Sequence, residues 1–255
     1  MAKECVSPLL APAVIDCAMN GRCLNLPAIE ASLRAVQQDF PRINELLQCR
    51  REDMADEIVA NMMAGYQFVD QLVAERSKLF AMGHLRWMLE LNALVLCGRE
   101  ARERERHAAH LAATEQHFYG DRDIGIRDVV EWYEVHKSEP VWKRAAGVYI
   151  RVLSEPQLFI EGNHRTGALI MSRILAMDSQ PPFVLGIDNA QAYFDPSTLI
   201  SKTRKHGLAM LFRMPKLKKQ FARFLEAQAD DRYLLDGAAA CAAENPRGAL
   251  ASTEP

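Results

Sequence analysis

The residues best suited to chemistry fall in one run, Phe159-Ile-Glu-Gly-Asn-His-Arg-Thr-Gly167. Gly162 and Gly167 let a backbone turn tightly or approach a ligand closely. Arg165 offers a planar fork of donors that matches phosphate oxygens. Glu161 supplies a hard carboxylate oxygen, the kind Mg²⁺ takes when it also holds phosphate. His164 brings an imidazole, which titrates near neutrality. The run lies between two apolar, helix-patterned segments, 141–154 and 168–177, so its second half opens a helix. Amides at such an end lack intrahelical partners, and the helix dipole adds positive charge, which together attract phosphate. These types in this order point to a phosphate-binding loop. The other reading of Glu161-Gly-Asn163 is an ordinary helix–loop–helix turn.

The elements that must hold this loop are helical. Apolar residues recur at helical spacing over 28–47, with Pro41 expected to break or restart that helix. Residues 51–76 place Met54, Ile58, Val59, Met62, Tyr66, Val69 and Val73 on one stripe, which reads as core rather than as a ligand groove. Residues 83–98 are apolar nearly all round and predict a central helix closed by Gly98. The alternating charges of 99–106 read as a solvated helix start. His107, His110 and His117 follow on one face. Their offset of seven leaves the third roughly 10 Å away, too far to share one ion, so an exposed polar face is expected. Residues 119–125 form a turn cluster, and 126–136 a short helix with Val129, Val130 and Trp132 inward. Pro140 suits the start of the helix that ends near Ser154. After the loop, Pro181-Pro182 stops the next helix, and Asp188 is a candidate cap for another. The expected fold class is all-α: a helical bundle with the loop between two central helices.

Composition sets the bounds. The 255 residues suffice for one large domain or a domain with an extension. Lys and Arg number 31 against 33 Asp and Glu, a formal charge of −2, so nothing global points to nucleic acid or to an anionic membrane surface. No apolar run is long enough to span a bilayer. Six cysteines (5, 17, 23, 49, 97, 241) show no Cys-x-x-Cys pairing, Cys97 reads as a buried thiol, and the start is a poor signal peptide. A cytoplasmic protein is the simplest expectation. The divisions expected are a lead-in over 1–25, an N-terminal helical extension over 26–80, the main domain over 81–230 and a disordered tail over 231–255.

The loop and its flanks resemble the Fic (Fido) family, whose loop reads His-Pro-Phe-x-Asp/Glu-Gly-Asn-Gly-Arg-x-x-Arg. Phe159, Glu161, Gly162, Asn163 and Arg165 match it. Gln157 stands for the histidine, Leu158 for the proline, His164 for the second glycine and Ala168 for the second arginine. The flank Lys143-Arg-Ala-Ala-Gly-Val-Tyr-Ile, Pro181-Pro182-Phe183-Val184 and Tyr193 also look like the family, and the resemblance covers roughly residues 84–228. It implies a Fic-type bundle, with room for a small β-hairpin flap. It also implies ATP as the nucleotide and Mg²⁺ on Glu161. Gly162, Asn163, Arg165, Thr166 and Gly167 would sit around the phosphates, and Tyr193 at the nucleobase. AMP, or a related phosphate-containing moiety, would pass to the Ser, Thr or Tyr hydroxyl of a protein target. A catalytically inactive relative, acting as a nucleotide-binding regulator or a protein-interaction module, is the alternative, and self-association of the chain is compatible with either.

The departures fall on the chemistry. Gln157 occupies the position of the general base, and an amide does not titrate. His164 has three readings: a substitute base, a phosphate or target contact, or a structural cap. Tyr193 has two, a nucleobase wall or a helix–helix contact. The family's inhibitory helix motif, Ser/Thr-x-x-x-Glu-Gly/Asn, is not found.

Overall fold

The structure is a computed structural model and describes residues 22–120, 125–205 and 208–236. Parts of the expected lead-in, turn cluster and tail (1–21, 121–124 and 237–255) lie outside the described residues, as do Cys5, Cys17 and Cys241.

Ten α-helices and one two-stranded sheet make up the described chain. The first helix, α1 (Leu26–Leu46), starts at Asn25, whose side chain accepts from the Ala28 amide. It runs through Pro41 without the expected break. A proline inside a helix costs about 3 kcal/mol. Buried Ile29, Leu33, Val36, Phe40 and Ile43 lie on both sides of it, and each contributes roughly 1.5–3 kcal/mol, so packing overrides the local signal. The second helix, α2 (Asp56–Ala74), begins five residues later than the apolar pattern suggested. Residues 47–55 are instead an irregular connection that carries Arg50, Arg51, Glu52 and Met54.

The α3 helix (Arg86–Cys97) follows a single 3₁₀ turn, Met82–His84, and ends at Gly98 with φ 65°. Then come α4 (Ala101–Arg106), α5 (Ala108–Phe118) and α6 (Ile126–Val135). The central pair is α7 (Val141–Leu153) and α8 (Asn163–Met177). Their close approach depends on Gly167, where a Cβ would lie 3.0 Å from Tyr149 and 3.1 Å from Leu153. On the far side of α7 packs α10 (Leu208–Ala227), with Phe221 stacked on Tyr149 at 5.0 Å. Helix α9 (Ala190–Ser201) lies across α7 and α1. Asn189, not Asp188, occupies its cap position, where its side chain accepts from the Gly186 amide and donates to the Val184 carbonyl.

One hydrophobic cluster runs from Leu24 and Leu33 through Val69, Leu91, Tyr149 and Leu169 to Tyr233. The 26–80 segment therefore shares its core with the rest of the bundle. Strands β1 (Arg22–Leu24) and β2 (Leu234–Asp236) pair antiparallel, Cys23 opposite Leu235. This corrects the expected start of the tail: Tyr233 is buried and accepts the Asn25 amide at 2.9 Å, so order extends through residue 236. Among the described residues no helix is long and apolar enough to cross a membrane.

Candidate functional site

The loop between α7 and α8 is anchored from beneath. Leu158 and Phe159 are buried, and Phe159 stacks on Phe118 of α5 at 5.6 Å. Gly162 then takes φ +75°, ψ 8°, the left-handed conformation that turns the chain into α8. A Cβ there would sit 3.1 Å from the Asn92 side-chain nitrogen and 3.3 Å from Val95 and Leu96. The Asn163, His164 and Arg165 amides open α8, and the Thr166 amide is the first to bond back, to the Gly162 carbonyl at 2.9 Å.

Three amide and imidazole side chains fix the loop. Asn163 is buried; its Oδ1 accepts from the Phe159 amide at 2.9 Å, and its Nδ2 donates to the Phe159 carbonyl at 2.7 Å and to Gln157 Oε1 at 3.0 Å. Its side-chain donors are thus committed to the loop, and its backbone amide is among those that open α8. Asn92, wholly buried on α3, donates to the Glu161 carbonyl at 2.9 Å and to Thr166 Oγ1 at 3.0 Å. His117 Nε2 donates to the Gln157 carbonyl at 2.9 Å.

The histidine face of α5 is therefore not merely a solvated surface. His117 holds the loop, and His110 Nε2 lies 3.9 Å from the Glu161 carboxylate.

Above the loop lies a cavity of about 540 Å³, bounded by α1, α2, the 47–55 connection, α8 and α9, within the range of small-molecule sites. Gln157, Glu161, Gly162, Asn163, His164, Arg165 and Tyr193 all line it. Thr166 and Gly167 do not, and here the expectation is corrected. Helical rotation carries Thr166 round to Asn92 and Gly167 to Tyr149, while 164, 165 and 168 share the face toward the cavity.

Part of the lining is polar. Arg165 donates to the Val95 carbonyl at 3.1 Å, and burial lowers its pKa against the opposing pull of Glu161. His164 is pushed down to about 4, first by burial and second by Arg51, so its imidazole is neutral at pH 7. The His164 Nδ1 is buried without a hydrogen-bond partner. Arg51 enters from the opposite wall: its guanidinium lies 4.5 Å over Phe194 and donates to Thr198 Oγ1 at 3.0 Å. Leu33, Met62, Phe183 and Phe194 make much of the remaining lining apolar. The Tyr193 hydroxyl donates to the His164 carbonyl at 3.1 Å and accepts from Tyr149 at 2.8 Å.

The Glu161 side chain is exposed at the rim, and among the described residues no group of three or more His, Cys, Asp or Glu could hold a metal ion. Glu161 by itself offers a single hard carboxylate oxygen at this rim, of the type Mg²⁺ takes when most of its other ligands are phosphate and water.

Arg51, Asn92 and His117 are missed by sequence reasoning. Asn92 had a signal, since a polar residue amid Leu89, Leu91 and Leu94 must find buried partners. Arg51 had none. Compared with protein-family models, with curated proteins and with solved structures, the chain matches none of them.

Proposed function

We propose that this chain is a Fic-like protein that binds Mg²⁺–ATP at the 159–167 loop and transfers AMP, or a related phosphate-containing moiety, to a protein hydroxyl. The observation that carries this reading is the mixed lining of the cavity. Arg165, Arg51 and the residues that open α8 line it together with apolar and aromatic side chains. Phosphate suits the first set and a nucleoside the second. Glu161 would hold Mg²⁺ against the phosphates, where the ion offsets their charge.

In the transfer, the target hydroxyl oxygen bonds to the α-phosphorus, the bond to the bridging oxygen breaks, and pyrophosphate leaves. Gln157 cannot take the proton: its Oε1 accepts from Asn163, and an amide does not titrate. His164, neutral with a pKa of about 4, is a weak base. The proton therefore passes to solvent or to the leaving pyrophosphate, and turnover is slow, since a missing base removes about 10²–10⁴-fold in rate.

The same Gln157–Asn163 bond favours a second reading, a nucleotide-binding regulator without transfer. The test is incubation with Mg²⁺ and ATP labelled at the α-phosphate, alone and with cell lysate. Label on protein that disappears in Arg165→Ala supports the transferase. Tight ATP binding without label supports the regulator, and neither binding nor label sinks both readings. Gln157→His asks whether the base alone is lacking; gained auto-modification is the expected result for a competent site.

A further inference from the structure

We propose that Arg51, supplied by the 47–55 connection, is a ligand-binding residue of this cavity that holds an anionic oxygen opposite Arg165 and the amides of α8. The proposal rests on the phosphate reading above and extends it to a segment with no motif.

Three observations support it. The first concerns what part-buried arginines do elsewhere in the molecule. Arg104, Arg144 and Arg151 each pair with a carboxylate: Glu90, Asp178 and Asp128. Arg51, Arg165 and the buried Arg173 have no carboxylate in salt-bridge range among the described residues, and of these Arg51 and Arg165 line this cavity. A guanidinium partly withdrawn from water with no carboxylate in contact carries a cost, which an anionic ligand offsets.

The second is an orphaned donor. Arg51 Nε is buried with no hydrogen-bond partner, as is His164 Nδ1 nearby. Buried polar atoms are seldom left unpaired in folded proteins, and these two fall in one cavity. Arg51 is near enough to His164 to be the second cause of its lowered pKa.

The third is rigidity. The Arg51 amide donates to Asn44 Oδ1 at 2.7 Å, and Asn44 Nδ2 donates to the Arg51 carbonyl at 2.8 Å. Farther out, Thr198 and the Phe194 ring hold the guanidinium. A side chain fixed before binding gives up little further entropy when a ligand arrives.

Calorimetry on the full chain with Mg²⁺ tests this, with ATP and with inorganic tripolyphosphate as probes. Arg51→Met keeps an apolar stem to lie on Phe194 and removes only the charge and donors. It should weaken both probes roughly 10- to 100-fold, the loss typical of a charged hydrogen-bonding group. Arg51→Lys should recover part of that loss. Phe194→Leu should weaken ATP more than tripolyphosphate, since it removes an apolar wall as well as one support of Arg51.

If Arg51→Met leaves tripolyphosphate unchanged, the proposal is overturned, whatever happens to ATP. Loss of ATP alone would mean that Arg51 only shapes the apolar wall. Wild type that binds tripolyphosphate but not ATP overturns the nucleotide reading, and the tripolyphosphate data still judge Arg51. Wild type that binds neither overturns both.

Discussion

Two connections face each other across the cavity, and they are built on opposite plans. The α7–α8 loop spends its polar side chains on itself. Asn163 takes both polar backbone groups of Phe159, Asn92 takes the Glu161 carbonyl, and His117 takes the Gln157 carbonyl. What it turns toward the cavity is largely the backbone that opens α8, with Arg165. The 47–55 connection is held by Asn44, which grips both backbone groups of Arg51, and by Asp195, which accepts the Gln48 amide at 3.1 Å. What it turns toward the cavity is side chains. One wall therefore owes its shape to buried hydrogen bonds and the other owes its chemistry to a charge. Substitutions in the first should cost stability, and substitutions in the second should cost binding.

The largest effect expected under this contrast is from Asn163→Ala. It removes three hydrogen bonds and leaves the Phe159 amide and carbonyl unpaired in a buried loop. The loss should be about 3 kcal/mol, read as a lower midpoint in urea at unchanged slope. Arg51→Met should move that midpoint by less than about 1 kcal/mol, since it breaks one part-exposed hydrogen bond. Equal losses from the two would break the contrast.

A second effect, of about 3 kcal/mol, comes from His164. Its folded pKa of about 4 lies below the ordinary 6.5. The unfolded chain therefore binds the proton first as pH falls. This contribution is complete above pH 6.5 and is lost between there and 4. Carboxylates titrate in the same window, so the measurement is a difference. His164→Asn should show a flatter stability profile from pH 6.5 to 4 than wild type. Because Arg51 is the second cause of the shift, Arg51→Met should raise the His164 pKa in an NMR titration, though only partway, with burial unchanged. A His164 pKa insensitive to Arg51 would separate the two walls.

Gly162→Ala comes next, at about 1.5 kcal/mol. The residue sits at φ +75°, which costs a side chain roughly 1–2 kcal/mol, and Asn92 at 3.1 Å must shift slightly to admit it. A stability change near zero would mean that the turn relaxes out of the left-handed region.

How far these walls were legible in the sequence follows from the same difference. Gly162, Arg165 and Glu161 declare themselves by type and spacing, and the helices on either side by their apolar period. Thr166 and Gly167 were misassigned because a linear motif ignores rotation about the helix, which takes them to α3 and α7. The bonds of the Asn163 side chain to its own loop were not legible, because a buried amide looks, in one dimension, like a free donor. Pro41 misled because the break it favours locally is outweighed by five buried side chains. Arg51 was invisible for a deeper reason. Nothing in Arg50-Arg51-Glu52 fixes where the segment lies; that is set by α1 and α2 packing against α8 and α9, contacts far apart in the chain.

The smallest stability effect is also the sharpest test of the second wall. Asn44→Ala removes the two bonds that pin the Arg51 backbone, at 2.7 and 2.8 Å, in a part-buried position where water can replace them. The loss in the urea midpoint should be about 1 kcal/mol or less. Arg51 itself is untouched, so any change in tripolyphosphate affinity reports how well its guanidinium is held. A severalfold loss is expected, since a mobile side chain must be ordered again on binding. It should fall well short of the loss from Arg51→Met. If Asn44→Ala weakened binding as much as Arg51→Met, placement of the charge would be the whole of its contribution. If it weakened binding not at all, Thr198 and Phe194 alone would position Arg51, and the backbone grip would serve only to end α1.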